Sequence, residues 1–283
     1  MGSIGILTES IHGLPPELIK KYDIQVVPMG VVFNNKGYRD TVDITAADCY
    51  KLLKEIKSPG STSTPSPGDF VNVFESLARK TDSIIYIGVS KALSATHDIA
   101  RQAREMFQSD HPGIKIELID SKNCIGAIGF LVLEAARAAE SGKSLTETVE
   151  IVQSMIPRVK YLAVLDTLEG LVRIGRMPKS AVSDATANVR PIIGMTDNSG
   201  TVQNLTAMPR QMALEKLVEL AGKYLAPDKP VHAMVHYSEY RQEAEELKKL
   251  VTSRYNCVEF YMSEYTPAAL CSTGLMTGLS VYS

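Results

Sequence analysis

The sequence predicts an α/β protein of two domains, a parallel-sheet α/β half followed by a mixed-sheet α+β half, with a ligand held between them. Three observations predict it. Short β-branched apolar runs alternate with helix-periodic stretches through the first half, the pattern of strands joined by helical crossovers into a parallel sheet. From about Tyr161 the texture changes to short strands, two of them joined by the hairpin turn Asp197-Asn198-Ser199-Gly200. A chain of 283 residues, 45% hydrophobic and 22% charged, is also long and apolar enough for two cores of ordinary size. The boundary is placed near residue 158, giving units 1–158 and 159–283. No low-complexity linker divides them, so a cleft between closely apposed domains is the expected ligand site.

Taken in order, Ile4 to Leu7 and Gln25 to Met29 read as the first two strands. Ser66-Pro67-Gly68-Asp69 starts a helix with a capping hydroxyl, a first-turn proline and an acid at the third position. Phe70, Val73, Phe74 and Leu77 then form its single apolar stripe. Ser83 to Ile87 is apolar enough for a strand buried on both faces. A hydroxyl-rich turn follows, and Ser94 opens a helix over Ala95 to Phe107. Ile114 to Ile119 is the next strand, and Ser144-Leu145-Thr146-Glu147 is a capping box for a helix running to Ile156 before Pro157. In the second half, strands are expected over Tyr161 to Leu165, Val189 to Met195, Thr201 to Leu205 and Val231 to Val235. A helix near Glu239 to Leu250 and strands over Val258 to Tyr261 and Gly278 to Tyr282 complete it.

Several function classes are disfavoured at once. Thirty basic against 32 acidic residues give a net charge of −2 with no basic block, which argues against nucleic acid as a partner. The first apolar run, Ile4 to Leu7, is too short for a signal segment, and no apolar stretch reaches the length of a membrane span. A cytoplasmic protein with no integral membrane segment is expected. Cys49, Cys124, Cys257 and Cys271 are widely spaced, without Cys-x-x-Cys or paired histidines, and read as small buried apolar groups rather than a metal site or disulfide frame. Neither a phosphate loop nor Gly-x-Gly-x-x-Gly opens a helix, so no nucleotide cofactor is expected.

The candidate chemistry lies in two hydroxyl-rich turns, each read as lying at a strand exit before a helix. In Ser61-Thr62-Ser63-Thr64-Pro65-Ser66, Ser66 serves as a cap, but Thr62 and Ser63 stand four and three residues upstream, where capping does not explain them. The second turn offers Ser90 and Ser94. Hydroxyls beside helix N-termini suit a carboxylate or phosphate without metal or fixed positive charge. A rival reading takes Gly88-Val89-Ser90-Lys91-Ala92 as a nucleophile elbow, making the protein a serine esterase using Ser90 or Ser94 with Asp228 and His236. Ala92 in place of the final glycine, and the lack of a histidine-glycine oxyanion loop, count against it. His12, His111 and His232 lack partners at ligand spacing, and His236 reads as a packed core residue. His97 alone, three residues past Ser94 on the same helix face, is placed near a candidate site. The basic stretch Gly170 to Arg176 reads as a solvated turn.

At these positions the chain resembles the DegV family, which includes the fatty-acid-binding subunits of bacterial fatty acid kinases. Thr8-Glu9-Ser10 with Leu14-Pro15, Val27-Pro28-Met29 and Tyr38-Arg39-Asp40 resemble its opening blocks. Thr62-Ser63-Thr64-Pro65-Ser66-Pro67 is similar to its Thr-Ser-Gln-Pro-Ser-Pro loop, and Leu93-Ser94-Ala95-Thr96-His97 to Leu-Ser-Gly-Thr-Tyr. Asp120-Ser121-Lys122, Asp166-Thr167-Leu168-Glu169 and Gly175-Arg176 continue the series in order, nearly end to end.

The resemblance implies a two-domain DegV-like fold clasping one long-chain fatty acid, with Thr62 and Ser94 bonding its carboxylate and an apolar tunnel taking its tail. Ser63, Ser272 and Thr273 complete the implied head-group set. The chain would be a carrier without catalytic residues, metal or cofactor, and a separate ATP-dependent kinase subunit would phosphorylate the bound acid. Departures qualify this. The family's His-Thr-Gly-Pro-Gly block stands here as Ser272-Thr273-Gly274-Leu275-Met276, so Ser272 replaces the head-group histidine. Met208 aligns with an arginine, with Arg210 close by; Ala95, His97 and Glu9 replace glycine, tyrosine and aspartate. The expectation is a lipid pocket retained but not productively coupled to a kinase, unless His97 or Ser272 compensates. Retuning to another amphiphile is the further alternative.

Overall fold

The computed structural model describes residues 4–55, 60–181 and 189–283. Its first half runs β1 (Ile4–Glu9), α1 (Pro16–Lys21), β2 (Gln25–Val27), β3 (Gly30–Phe33), β4 (Lys36–Arg39), α2 (Ala46–Glu55), β5 (Ser61–Ser63), α3 (Pro67–Ala78), β6 (Ser83–Gly88), α4 (Thr96–Asp110), β7 (Lys115–Asp120), α5 (Gly126–Glu140) and α6 (Leu145–Met155). The second half adds β8 (Lys160–Leu165), α7 (Glu169–Arg173), β9 (Val189–Met195), β10 (Gln203–Pro209), α8 (Ala213–Gly222), β11 (Val231–Tyr237), α9 (Arg241–Arg254), β12 (Cys257–Glu264), α10 (Pro267–Thr273) and β13 (Met276–Tyr282).

Local signals act where the sequence places them. Ser66 accepts from the Asp69 amide at 3.2 Å while Asp69 accepts from the Ser66 amide at 2.7 Å, closing the capping box of α3. Ser144 and Glu147 close the same box on α6. Strand β6 is buried at every position, as its unbroken apolar run requires. The hairpin turn between β9 and β10 puts Asn198 and Gly200 at positive φ, 61° and 80°.

Four parallel strands form one sheet, ordered β2-β1-β6-β7. The second sheet is mixed, ordered β10-β9-β8-β13-β11-β12, with only β11 and β12 parallel. Helices α3 and α4 cover the outer face of the parallel sheet through Phe70, Phe74 and Phe107. Helices α8 and α9 cover the outer face of the mixed sheet through Leu217 and Leu247. Between the sheets lie α5 and α6, giving five layers, α-β-α-β-α.

Several elements lie outside the expectations. Helix α5 is buried at 11 of its 15 residues, because β1 and β6 pack on it from one sheet and β8 and β13 from the other; its charged residues, Glu134, Arg137 and Glu140, fall in its second half. A single core therefore runs from Ile6 and Ile85 through Phe130 and Leu131 to Tyr161 and Leu165. Strands β4, β3 and β5 form a three-stranded antiparallel sheet that packs with α2 against α10 near the far end of the chain. The first hydroxyl turn is thus itself the short strand β5 and not a turn at a strand exit. Among the described residues, no helix is long and apolar enough to cross a membrane.

Candidate ligand-binding cavity

In the parallel sheet, the chain moves outward from β1 to β2 in one direction and from β6 to β7 in the other, so the order reverses between β1 and β6. Open α/β sheets bind ligands beyond the carboxyl ends of their strands at such a reversal. A cavity lies there. It measures about 470 Å³ and is bordered by residues just past those ends: Ile11 after β1, Val89 and Ser94 after β6, Ile125 after β7. Opposite are Thr62 of β5, Arg173 of α7 and Ser272 of α10. This volume falls in the range of roughly 300–1,000 Å³ typical of sites that enclose a small organic ligand. Most of the lining is apolar, including Met29, Leu93, Leu171, Ile193, Val202 and Met276.

Of the three hydroxyl residues of β5, Ser61 and Thr62 border the cavity and Ser63 does not. Thr62 pairs with buried Val31 of β3 and borders the cavity, whereas Ser63 pairs with Gly30. Ser63 Oγ lies over that glycine, where an added Cβ would stand only 2.0 Å away. Ser63, expected in the head-group set, therefore falls outside the cavity lining. Thr62 Oγ1 forms no hydrogen bond among the described residues, so both its proton and its lone pairs are available to a ligand. Ser94 Oγ shares a 2.7 Å hydrogen bond with Thr96 Oγ1 and accepts from the Thr96 amide at 3.2 Å. It forms no side-chain cap for α4, whose N-cap is Ala95. Ser272 and Thr273 also border the cavity, but each donates to a carbonyl one turn back on α10, at Ala268 and Ala269, both at 2.9 Å.

Positive charge reaches the lining from an unexpected place. The stretch read as a solvated turn is mostly helix α7, and Arg173 and Arg176 both border the cavity. Arg173 donates to the carbonyls of Cys271 at 2.6 Å and Gly60 at 3.3 Å, which fixes its guanidinium against α10 and the residue that precedes β5. Two arginines three residues apart beside an apolar Leu-Val pair were the available signal, and sequence reasoning passed over it. Cys124 lines the cavity as well; burial pushes its thiol well above the usual range, leaving it protonated and unreactive.

The esterase geometry is not formed. Ser90 Oγ donates to the Gly200 carbonyl at 2.7 Å, tying the turn to the β9–β10 hairpin, and has no histidine partner. His236 lies fully buried between Ser263 Oγ at 2.9 Å and Ser280 Oγ at 3.1 Å, a satisfied core histidine as expected. His97 is buried beside Tyr86, with neither ring nitrogen hydrogen-bonded, and does not border the cavity, so it cannot stand in for a head-group residue. Met208 packs toward the α8–α9 side of the mixed sheet, and Arg210 pairs with Glu243 at 3.0 Å and Asp166 at 3.7 Å. Neither supplies charge to the cavity. No group of three or more potential metal ligands occurs among the described residues.

Comparison with known proteins gives the same picture from end to end. The family model for DegV matches residues 3–283. A DegV domain-containing protein of Caldanaerobacter subterraneus subsp. tengcongensis is 39% identical over 198 residues, covering 70% of this chain and 69% of that protein. Among solved structures, a fatty-acid-binding DegV family protein from Thermus thermophilus superposes with a TM-score of 0.89 at 24% identity, over 99% of both chains. A stearic-acid-binding protein from Eubacterium ventriosum gives 0.87 at 24% identity, over 100% of this chain and 98% of that one. With the family model spanning nearly every residue and the fold matched across its whole length, the chain belongs to the DegV family.

Proposed function

We propose that this protein binds one long-chain fatty acid, such as palmitate, as a carrier, with the carboxylate on Thr62 and Ser94 and the tail along the apolar lining. The observation that carries this reading is one cavity in which hydroxyls from β5 and from the β6–α4 turn meet an otherwise apolar wall. A buried carboxylate needs hydrogen bonds, and the start of α4 together with Arg173 and Arg176 favours its charge. The fatty acids bound by the solved relatives are the same class of ligand. Burying about fourteen methylenes at ~0.8 kcal/mol each contributes roughly 11 kcal/mol before association costs, so the tail dominates affinity and the hydroxyls set orientation.

In this reading residues 1–158 and 159–283 each supply one wall, Ser272 and Thr273 lie at the margin of the head-group site, and the carrier works in the cytoplasm without cofactor or chemistry of its own. Handing the acid to a separate ATP-dependent kinase subunit is the next step the family suggests. Ser272 and Met208 argue against it; labelled acyl-phosphate formed with a purified kinase subunit and ATP would restore that role. The direct test is native mass spectrometry of the purified protein, then extraction and identification of what comes off. One stoichiometric fatty acid is expected. A protein that is empty and takes up neither palmitate nor oleate would mean that the cavity serves another amphiphile.

A further inference from the structure

The cavity lining is graded from mouth to floor. Ser61 and Arg173 are exposed, Thr62 and Ser94 are half-buried, and Ile125, Tyr161, Ile193 and Met276 are buried. A carboxylate on Thr62 and Ser94 therefore sends its tail toward the buried end. Tyr161, 2% exposed, is the one aromatic residue in the lining among the described residues. Met276 beside it can change rotamer to make room, whereas a phenol ring moves only as a rigid plate.

That plate is held on every side. The Tyr161 hydroxyl shares a 2.8 Å hydrogen bond with the hydroxyl of Tyr265, which lies outside the lining. Tyr265 is also 2% exposed, and its amide donates to the Tyr237 carbonyl at 2.8 Å. The tip of the Tyr161 ring is thus tied to a partner that is itself fixed. His236, with its ring centroid 6.2 Å from that of Tyr161, is held by Ser263 and Ser280. Strands β8 and β13 set what lies beneath. Tyr161 stands opposite Ser280 and Ala163 opposite Gly278, and alternate residues share a face, so Tyr161, Gly278 and Met276 all point to the cavity side. A Cβ at Gly278 would stand 3.1 Å from Tyr161 Cε2, 3.2 Å from its hydroxyl and 2.1 Å from the Tyr265 hydroxyl. Glycine lets both rings lie down on the sheet, and any side chain at 278 would lift them toward the cavity.

We propose that Tyr161 is the stop for the acyl tail and sets the longest chain the protein holds, with Tyr265 and Gly278 fixing where that stop stands. The inference rests on the fatty-acid reading and adds its chain-length selectivity. Below the limit, each buried methylene raises affinity about fourfold. The first methylene beyond it must displace a tethered ring that has sheet beneath it, so affinity drops sharply instead of levelling off.

The experiment measures affinities for laurate, myristate, palmitate, stearate and arachidate, by displacement of a fluorescent fatty acid, in wild type, Tyr161→Val, Gly278→Ala and Tyr265→Phe. Valine suits a strand but is shorter, so the drop is expected to move to a longer acid, whose affinity rises about tenfold over its wild-type value. Gly278→Ala is expected to move the drop the opposite way, to a shorter acid. Tyr265→Phe leaves the Tyr161 ring untethered, and the drop is expected to become about threefold shallower. Should Gly278→Ala fail to fold, Tyr161→Val and Tyr265→Phe decide. Wild-type length profiles in Tyr161→Val and Tyr265→Phe, shifts of Tyr161→Val and Gly278→Ala in the same direction, or an equal loss at every length in Tyr161→Val would overturn the proposal. A wild type that binds none of the acids would overturn it together with the fatty-acid reading; one that binds them without a drop up to arachidate overturns it alone.

Discussion

Thr62 and Ser63 are adjacent hydroxyls with opposite fates, because successive side chains of a strand point to opposite faces. Thr62 borders the cavity with its oxygen unpartnered, and Ser63 lies over Gly30. Thr62→Val combined with Ser94→Ala is therefore expected to weaken palmitate retention at least tenfold with little change in melting temperature, whereas Ser63→Ala should leave retention unchanged. Competitive displacement of a fluorescent fatty acid measures both. Unchanged retention in the double variant would move the head group elsewhere along the cavity. The sequence made Thr62 legible because the Ser66 cap does not account for a hydroxyl four residues upstream, and Ser94 because it stands in a hydroxyl-rich turn at a helix start. It made Ser63 look equivalent because the strand register that separates it from Thr62 depends on β3, thirty residues away in the chain. Arg173 was missed for a similar reason: its partners, Gly60 and Cys271, come from distant segments.

At the level of elements, the amphipathic helices and capped starts were readable and the exceptions share a cause. Helix α5 is apolar from Gly126 to Leu133 and carries charge only at Glu134, Arg137 and Glu140, so periodicity gives no continuous stripe to find. Strands β3, β4 and β5 are only three or four residues each, too short for alternation to emerge. The packing of α5 also makes a sharp prediction. Gly126→Ala, ordinarily stabilising inside a helix, would place a methyl 2.1 Å from His236 Nε2, and the two serine hydrogen bonds hold that ring in place. A loss of about 1–3 kcal/mol is expected, read as a lower urea midpoint. A midpoint that rises instead would show that the ring yields.

The whole molecule buries titratable groups whose pH dependences oppose one another. Burial lowers His236 to about 3, below the ordinary value of 6.5, so the unfolded chain binds a proton that the folded one refuses; stability is full above pH 6.5 and falls toward pH 3. Glu9 and Asp40 are raised by burial, so their contributions are full below the unfolded carboxyl range and are lost as pH climbs through their folded values. Glu9→Gln removes one of these losses. Its stability should therefore climb more steeply with rising pH than that of wild type above the ordinary carboxyl range, read in urea titrations at pH 5 and pH 6.5. A parallel dependence would place an ionised Glu9 in the folded protein. The continuous core predicts as well that residues 1–158 expressed alone will not unfold cooperatively, since they would leave the β8–β13 side of α5 in water. A sharp melting transition in that fragment would contradict it.

Helix α5 is a structural member of both sheets at once, and this governs how traffic through the cavity can occur. Two sheets clamped on a common apolar rod cannot swing apart as a clamshell without exposing that rod. Loading and release must then proceed by brief local excursions of rim segments such as α7 and α10, while the amides of α5 remain among the last in the protein to exchange with deuterium. Residence time becomes a property of short rim helices, and ligand exchange is uncoupled from global unfolding.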